Sequence, residues 1–138
     1  MPNYQPIFVG TPIITTAVTA TVSLRDGGGP ITQLFVADPT NGSRVERISA
    51  FNTATQGSPS QAMQVRVFIA NANGTNPRLF REQLLANVTP AAGTLGAFAI
   101  FNFTGGLMLG TNSSIYVGQG TYTGLNDTTH WTAEGGHF

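Results

Sequence analysis

The sequence predicts an all-β chain. The expected architecture is a single-domain β-sandwich or jelly roll of about eight short antiparallel strands over residues 17–138, after an extended N-terminal arm over residues 1–16. Three observations carry this. Apolar residues recur with period two, and the 3.6-residue period of an amphipathic helix is nearly absent. The 17 glycines and 8 prolines cut the chain into short segments at turn-forming dipeptides. Finally, 138 residues with 41 % hydrophobic content and no cysteine suit one packed core without a disulfide framework.

The elements follow in order. Val18, Ala20, Val22 and Leu24 alternate with Thr19, Thr21 and Ser23, setting an apolar face inward and a row of hydroxyls outward. The run from Asp26 through three glycines to Pro30 breaks that strand. Residues 31–37 form the next one, closed by a turn over 38–43 in which Asn41-Gly42 tolerates left-handed backbone. In residues 44–51 the three-residue step from Val45 to Ile48 predicts a β-bulge near Glu46-Arg47. After a polar loop, Met63, Val65, Val67 and Ile69 line one face of the clearest strand, with Gln64, Arg66 and Phe68 on the other.

A turn over 71–77 leads to a strand over 78–85. Leu95, Ala97, Ala99, Phe101 and Phe103 then alternate with Gly96, Phe98, Ile100 and Asn102, so both faces are apolar. That pattern fits a central strand covered on two sides, or an interface strand. Gly105-Gly106 separates it from a short strand at 107–109; another follows at 115–117, and residues 128–133 close the sheet.

At the N-terminus Pro2, Pro6 and Pro12 remove backbone donors, whereas Tyr4, Ile7, Phe8, Val9, Ile13 and Ile14 are apolar and need cover. An arm laid on a neighbouring subunit reconciles the two facts; so does an edge strand on its own sheet.

Composition excludes several functions. Charged residues are 9 % of the chain against roughly 25 % in an ordinary domain. Six arginines balance six acids, with no lysine, so the basic footprint of a nucleic-acid binder is missing and no nucleic-acid partner is expected. Disorder is not expected of so apolar and charge-poor a chain. The start has no basic stretch, so no secretory leader is expected, and the six Asn-x-Ser/Thr sequons reflect composition. Residues 91–110 are long and apolar enough to suggest a membrane span, but Asn102, the Gly105-Gly106 break and the lack of flanking cations favour two strands and a turn. No membrane partner is expected.

Candidate chemistry is thin. His130 and His137 flank Glu134, but seven strand residues span about 23 Å, so a shared metal needs a tight turn at Gly135-Gly136. Asp26 and Asp127 sit in loops where an acid shapes a turn more often than it holds calcium. No serine lies in a nucleophile elbow, and a phosphate-cradling loop of the Walker type needs a lysine that this chain lacks. An enzyme is therefore not expected, nor a cofactor or metal. Tyr116, Tyr122 and Trp131 could stack on sugar rings, making a glycan-binding module the alternative to core and interface roles. Arg44, Arg47, Arg66 and Arg81 lie on strands; arginine without lysine suits partly buried interface pairs and points to a multi-subunit assembly.

Four segments, in this order, carry a resemblance: Asn41-Gly-Ser-Arg-Val-Glu-Arg-Ile48, Arg66-Val-Phe-Ile69, Asn76-Pro-Arg-Leu-Phe-Arg-Glu82, and Trp131-x3-Gly135-Gly-His-Phe138. Over about residues 40–138 the chain resembles small virion proteins of tailed bacteriophages, except that His137 stands where that pattern has an acid or amide. The resemblance implies a capsid decoration, or cement, protein on the virion surface, made in the host bacterial cytoplasm. Its implied partners are itself, as a homotrimer, and the major capsid protein. Contacts are then expected from the arm (Tyr4, Ile7, Phe8, Ile13) and from Arg44, Arg47, Arg66 and Arg81; a tail or head-fibre protein is the alternative virion role.

Overall fold

A computed structural model describes residues 10–20, 23–53, 62–71, 74–120 and 128–138. Among them are eight strands: β1 (Thr11–Thr19), β2 (Thr32–Val36), β3 (Ser43–Asn52), β4 (Met63–Asn71), β5 (Arg78–Leu85), β6 (Phe98–Leu109), β7 (Ser113–Gln119) and β8 (Thr129–His137). They form two four-stranded sheets, a first of order β1-β8-β3-β6 and a second of order β2-β7-β4-β5. Every neighbour pair is antiparallel. The pairs β1·β8, β2·β7, β3·β6 and β4·β5 nest inside one another, as when a long antiparallel ribbon is rolled up. The all-β sandwich that period-two patterning predicts is the fold.

The core fills the space between the sheets. Val45, Ile48, Ala50, Trp131 and Ala133 of the first sheet meet Phe35, Met63, Val65, Val67, Leu85, Ile115 and Val117 of the second. Phe101 stacks on Trp131 with ring centroids 6.4 Å apart, a separation suited to offset aromatic packing. Trp131 also sets the parity of β1. Its Nε1 donates to Thr19 Oγ1 (3.0 Å), which donates to Gln119 Oε1 (3.1 Å); Thr129 Oγ1 donates to the same oxygen (3.0 Å). These polar groups are buried and satisfied, so the hydroxyl of Thr19 faces inward at 4 % exposure. Val18 therefore points out, 51 % exposed, the reverse of the orientation that hydrophobic alternation predicts. Hydrogen bonding to a buried indole and amide overrides hydrophobicity at this strand end.

Other expectations also change. β1 runs without a break from Thr11 to Thr19 along β8, so residues 11–16 are an edge strand of their own sheet and no arm boundary falls at residue 16. Residues 1–9 of the expected arm lie outside the described residues. β6 is an edge strand, not a central one. It is also continuous to Leu109: in place of a chain-reversing turn, its register with β3 jumps from Asn102↔Arg47 to Leu107↔Val45, and the bulged segment holds Gly105 and Gly106 at φ 78° and 82°. The bulge predicted near Glu46-Arg47 is its other half. β8 runs straight through Gly135-Gly136, leaving His130 and His137 on opposite faces of one strand. Within the 38–43 turn only Gly42 takes positive φ (79°), while Asp38 Oδ1 accepts from the amides of Thr40 and Asn41.

Gly135 is where β3 and β8 come closest. A Cβ there would lie 2.2 Å from the Arg44 carbonyl oxygen and 2.9 Å from Val45 Cα, both backbone atoms that cannot swing aside.

The outward face of the second sheet is roofed by the chain itself. Residues 23–30, between β1 and β2, cross it toward β5. Ser23 N donates to the Gln119 carbonyl, Arg25 reaches Glu82, and Gly27 packs on Pro77. Beneath lie Phe68, fully buried, and Arg66, 6 % exposed. Arg66 Nε donates to Glu82 Oε2 (2.7 Å) and its Nη1 to the Ser23 carbonyl (2.6 Å), so one guanidinium ties β4, β5 and the roof. Arg25, then Arg66, hold the Glu82 carboxyl below the usual glutamate range.

Two outcomes follow. Gly135→Ala is expected to cost about 2–3 kcal/mol, because the added methyl overlaps fixed backbone, and to lower the urea midpoint at unchanged m. Glu82→Gln strands the buried Arg66 and is expected to cost about 2–4 kcal/mol at neutral pH in thermal or urea unfolding. Because folding depresses the Glu82 pKa, its stabilisation is full above the ordinary carboxylate range and is lost as pH falls through the depressed value. The difference between variant and wild type should therefore shrink on acidification.

Candidate functional site: a bare sheet face

Nothing in the described chain roofs the outward face of the first sheet. Three cross-strand rows form its middle, with Pro12, Gly136, Arg44 and Met108 in a further row beyond them. The first is Val18, His130, Phe51 and Phe98, the second Thr16, Thr132, Ser49 and Ile100, and the third Ile14, Glu134, Arg47 and Asn102. In the first row Phe51 and Phe98 stack at 6.0 Å and are 47 % and 48 % exposed. Beside them an apolar groove of about 290 Å³ is lined by Phe51, Leu95, Ala97, Phe98 and Ile100. The middle row is mostly hydroxyls. In the third, Ile14 is 71 % exposed, and Arg47 forms a two-pronged pair with Glu134, Nε and Nη2 donating at 2.8 and 2.9 Å. That pair keeps the Glu134 carboxyl below its ordinary range. The face thus exposes aromatic and aliphatic side chains at one end and the Arg47–Glu134 ion pair at the other, the mixed composition of protein contact surfaces.

The residues singled out by sequence reasoning fare differently. Arg47 is on this face. Arg44 lies one row beyond, its Nε 2.6 Å from Glu46 Oε1 but not aligned to hydrogen-bond it, and its stem packs on Gly106. Arg81 stays at the surface of β5, its guanidinium 4.2 Å over the Phe80 ring. Arg66 is no outward contact: it is the internal tie described above. Ile13 faces the core from β1, whereas Tyr4, Ile7 and Phe8 lie outside the described residues. Among the three aromatics of the glycan alternative, Trp131 is 1 % exposed and cannot stack on a sugar, Tyr116 packs against Gly74, and Tyr122 lies outside the described residues.

Sequence reasoning missed Ile14, Val18, Phe51, Phe98 and Glu134 as face residues. The double apolar pattern of residues 95–103 was the available signal, and it fits an interface strand. His137, on the inner side of β8, shares a hydrogen bond with Ser43 Oγ (2.6 Å) and meets the Phe35 ring edge-on. Ser43 is fully buried and its Oγ also accepts from the Asp38 amide, so this hydroxyl–imidazole pair joins the β2–β3 turn to β8 and presents no accessible nucleophile. Asp26 Oδ1 accepts from the Gly28 amide, shaping the turn in the roof.

No family model matches the chain, and no curated protein matches it by sequence. Among solved structures it is similar to a chain in the structure of infectious bursal disease virus Gt strain, with a TM-score of 0.34 and 14 % identity. That similarity covers 92 % of this chain and 32 % of the other, so the chain spans about a third of the length of that neighbour.

Proposed function

We propose that this chain is a structural virion protein, a decoration subunit that binds and stabilises a phage head. The observation that supports it is the inequality of the two outer faces: residues 23–30 cross one, whereas no described residue crosses the other, which exposes Ile14, Val18, Phe51 and Phe98. A stable fold with one unroofed apolar sheet has a use for that sheet in an assembly. Two further features agree. The nested winding of eight strands is that of a jelly roll, an architecture recurrent in viral capsid domains. The surface is also short of charge, which lets many copies approach closely without mutual repulsion.

The mechanism is mechanical. Each copy bridges neighbouring capsid subunits and adds buried apolar area, worth roughly 25 cal/mol per Å², which opposes expansion by packaged DNA. Many weak contacts on one shell act together, so a modest interface per copy suffices. The major capsid protein, reached at capsomer junctions, is the partner this role requires, and no catalytic step or cofactor enters it.

Co-sedimentation of the purified chain with expanded phage capsids tests the reading. Binding should saturate at a fixed number of copies per particle and raise the temperature at which the shell opens. A chain that never pellets with capsids, at any stage of their expansion, defeats it.

A further inference from the structure

We propose that the bare face of the first sheet docks on the same face of a second copy of this chain, about a two-fold axis parallel to the strands. The inference rests on the reading of the chain as an assembly subunit, assigns that face to a second copy, and so leaves contact with the capsid to the rest of the surface. In the order β1-β8-β3-β6 the midline runs between β8 and β3. An axis there lays β8 over the second copy's β3, and β1 over its β6.

Charge selects this arrangement. Glu134 stands over the second copy's Arg47 and Arg47 over its Glu134, so two intrachain pairs join as a ring of four alternating charges, stronger than isolated surface pairs. At the other end Val18 meets Phe98 and the adjoining groove, and His130 meets Phe51, so apolar surface covers apolar surface. The alternative in-plane axis, perpendicular to the strands, would set the aromatic row on the ion pairs and desolvate them without new countercharge.

Between the two ends, hydroxyls of the middle row meet hydroxyls, directly or across water. Two sheets of like twist pack face to face at about −30°, so the contact is an ordinary sheet-on-sheet one. Four strands some 4.8 Å apart and about seven residues long make a face of roughly 19 by 23 Å. Its accessible area, counted on both copies, is on the order of 1,000 Å², the lower bound for a specific interface. The contact is dyadic and forms pairs; it is not the threefold contact that the phage resemblance implies.

Sedimentation equilibrium on the full chain tests this, with Arg47→Glu and Glu134→Arg examined alone and mixed, and circular dichroism melts confirming that each folds. Wild type should show twice the chain mass at tens of micromolar. Each variant alone should associate at least about tenfold more weakly, because like charges then meet across the axis. The equimolar mixture should regain association, since a chain with two acids on this row faces one with two arginines. Repair of a pair within one chain cannot produce that recovery. Val18→Glu, outside the ion pair, should also give single chains.

A wild-type mass of one or three chains, or a mixture that stays dissociated, overturns the dyad. Such a chain that still binds capsids leaves the decoration reading standing. A dimer indifferent to capsids removes that reading and keeps the dyad.

Discussion

One buried guanidinium ties the cover of this sandwich to two strands of its second sheet. Arg66 belongs to the best-patterned strand in the chain, yet it points away from the core, where an arginine would ordinarily meet water. It is instead enclosed by Glu82, the Ser23 carbonyl and the chain that crosses above it. A charge so placed is tolerable only while all its partners stay. The roof over Phe68 is held by that requirement, and it buries the middle of the second sheet while no described residue covers the middle of the first. Function, on this view, begins with an asymmetry of cover.

The bare face is polar enough to remain soluble and apolar enough to be worth covering. Its aromatic row and its ion pair sit at opposite ends of the same strands, with small hydroxyl-bearing residues between them. Each part is weak alone. Exposed ion pairs contribute little, and scattered exposed aliphatics are normal on monomers. Alignment along shared strands is what turns them into one surface, and alignment is a property of register, which the bulge at Val45–Arg47 sets for β3 against both neighbours. The same bulge brings Gly135 against the β3 backbone, so the glycine that closes the register and the arginine that faces outward depend on one irregularity.

Much of this was legible beforehand. Alternation located β2 to β5, β7 and β8, Asn41-Gly42 marked its turn, and a three-residue apolar step in residues 45–48 announced the bulge; the first strand, expected over Val18–Leu24, instead runs over Thr11–Thr19. What was hidden shares a physical reason: it depends on partners distant in sequence. The inward turn of Thr19 needs Trp131 and Gln119, and the burial of Arg66 needs the Ser23 carbonyl; no local window contains both ends. The position of β6 at a sheet edge was equally unreadable, because two apolar faces look alike whether the second is covered by the chain's own residues or left open. The resemblance to phage virion proteins drew on short segments around β3, β4, β5 and β8, and two of these, β3 and β8, supply Arg47 and Glu134.

The pairing of the first strand with the last has a consequence for biosynthesis. β8 lies between β1 and β3, and Trp131 reaches back 112 positions to Thr19. Among the described residues β1 has no neighbour in its sheet but β8, so its pairing waits for a strand far downstream, a long-range closure of the kind that folds slowly. Two of the four strands that bear Arg47, Glu134 and the aromatic row are thus joined only once β8 has been made. A chain that lacks β8 therefore has no complete first sheet, and its outward face forms only as the last step of closure.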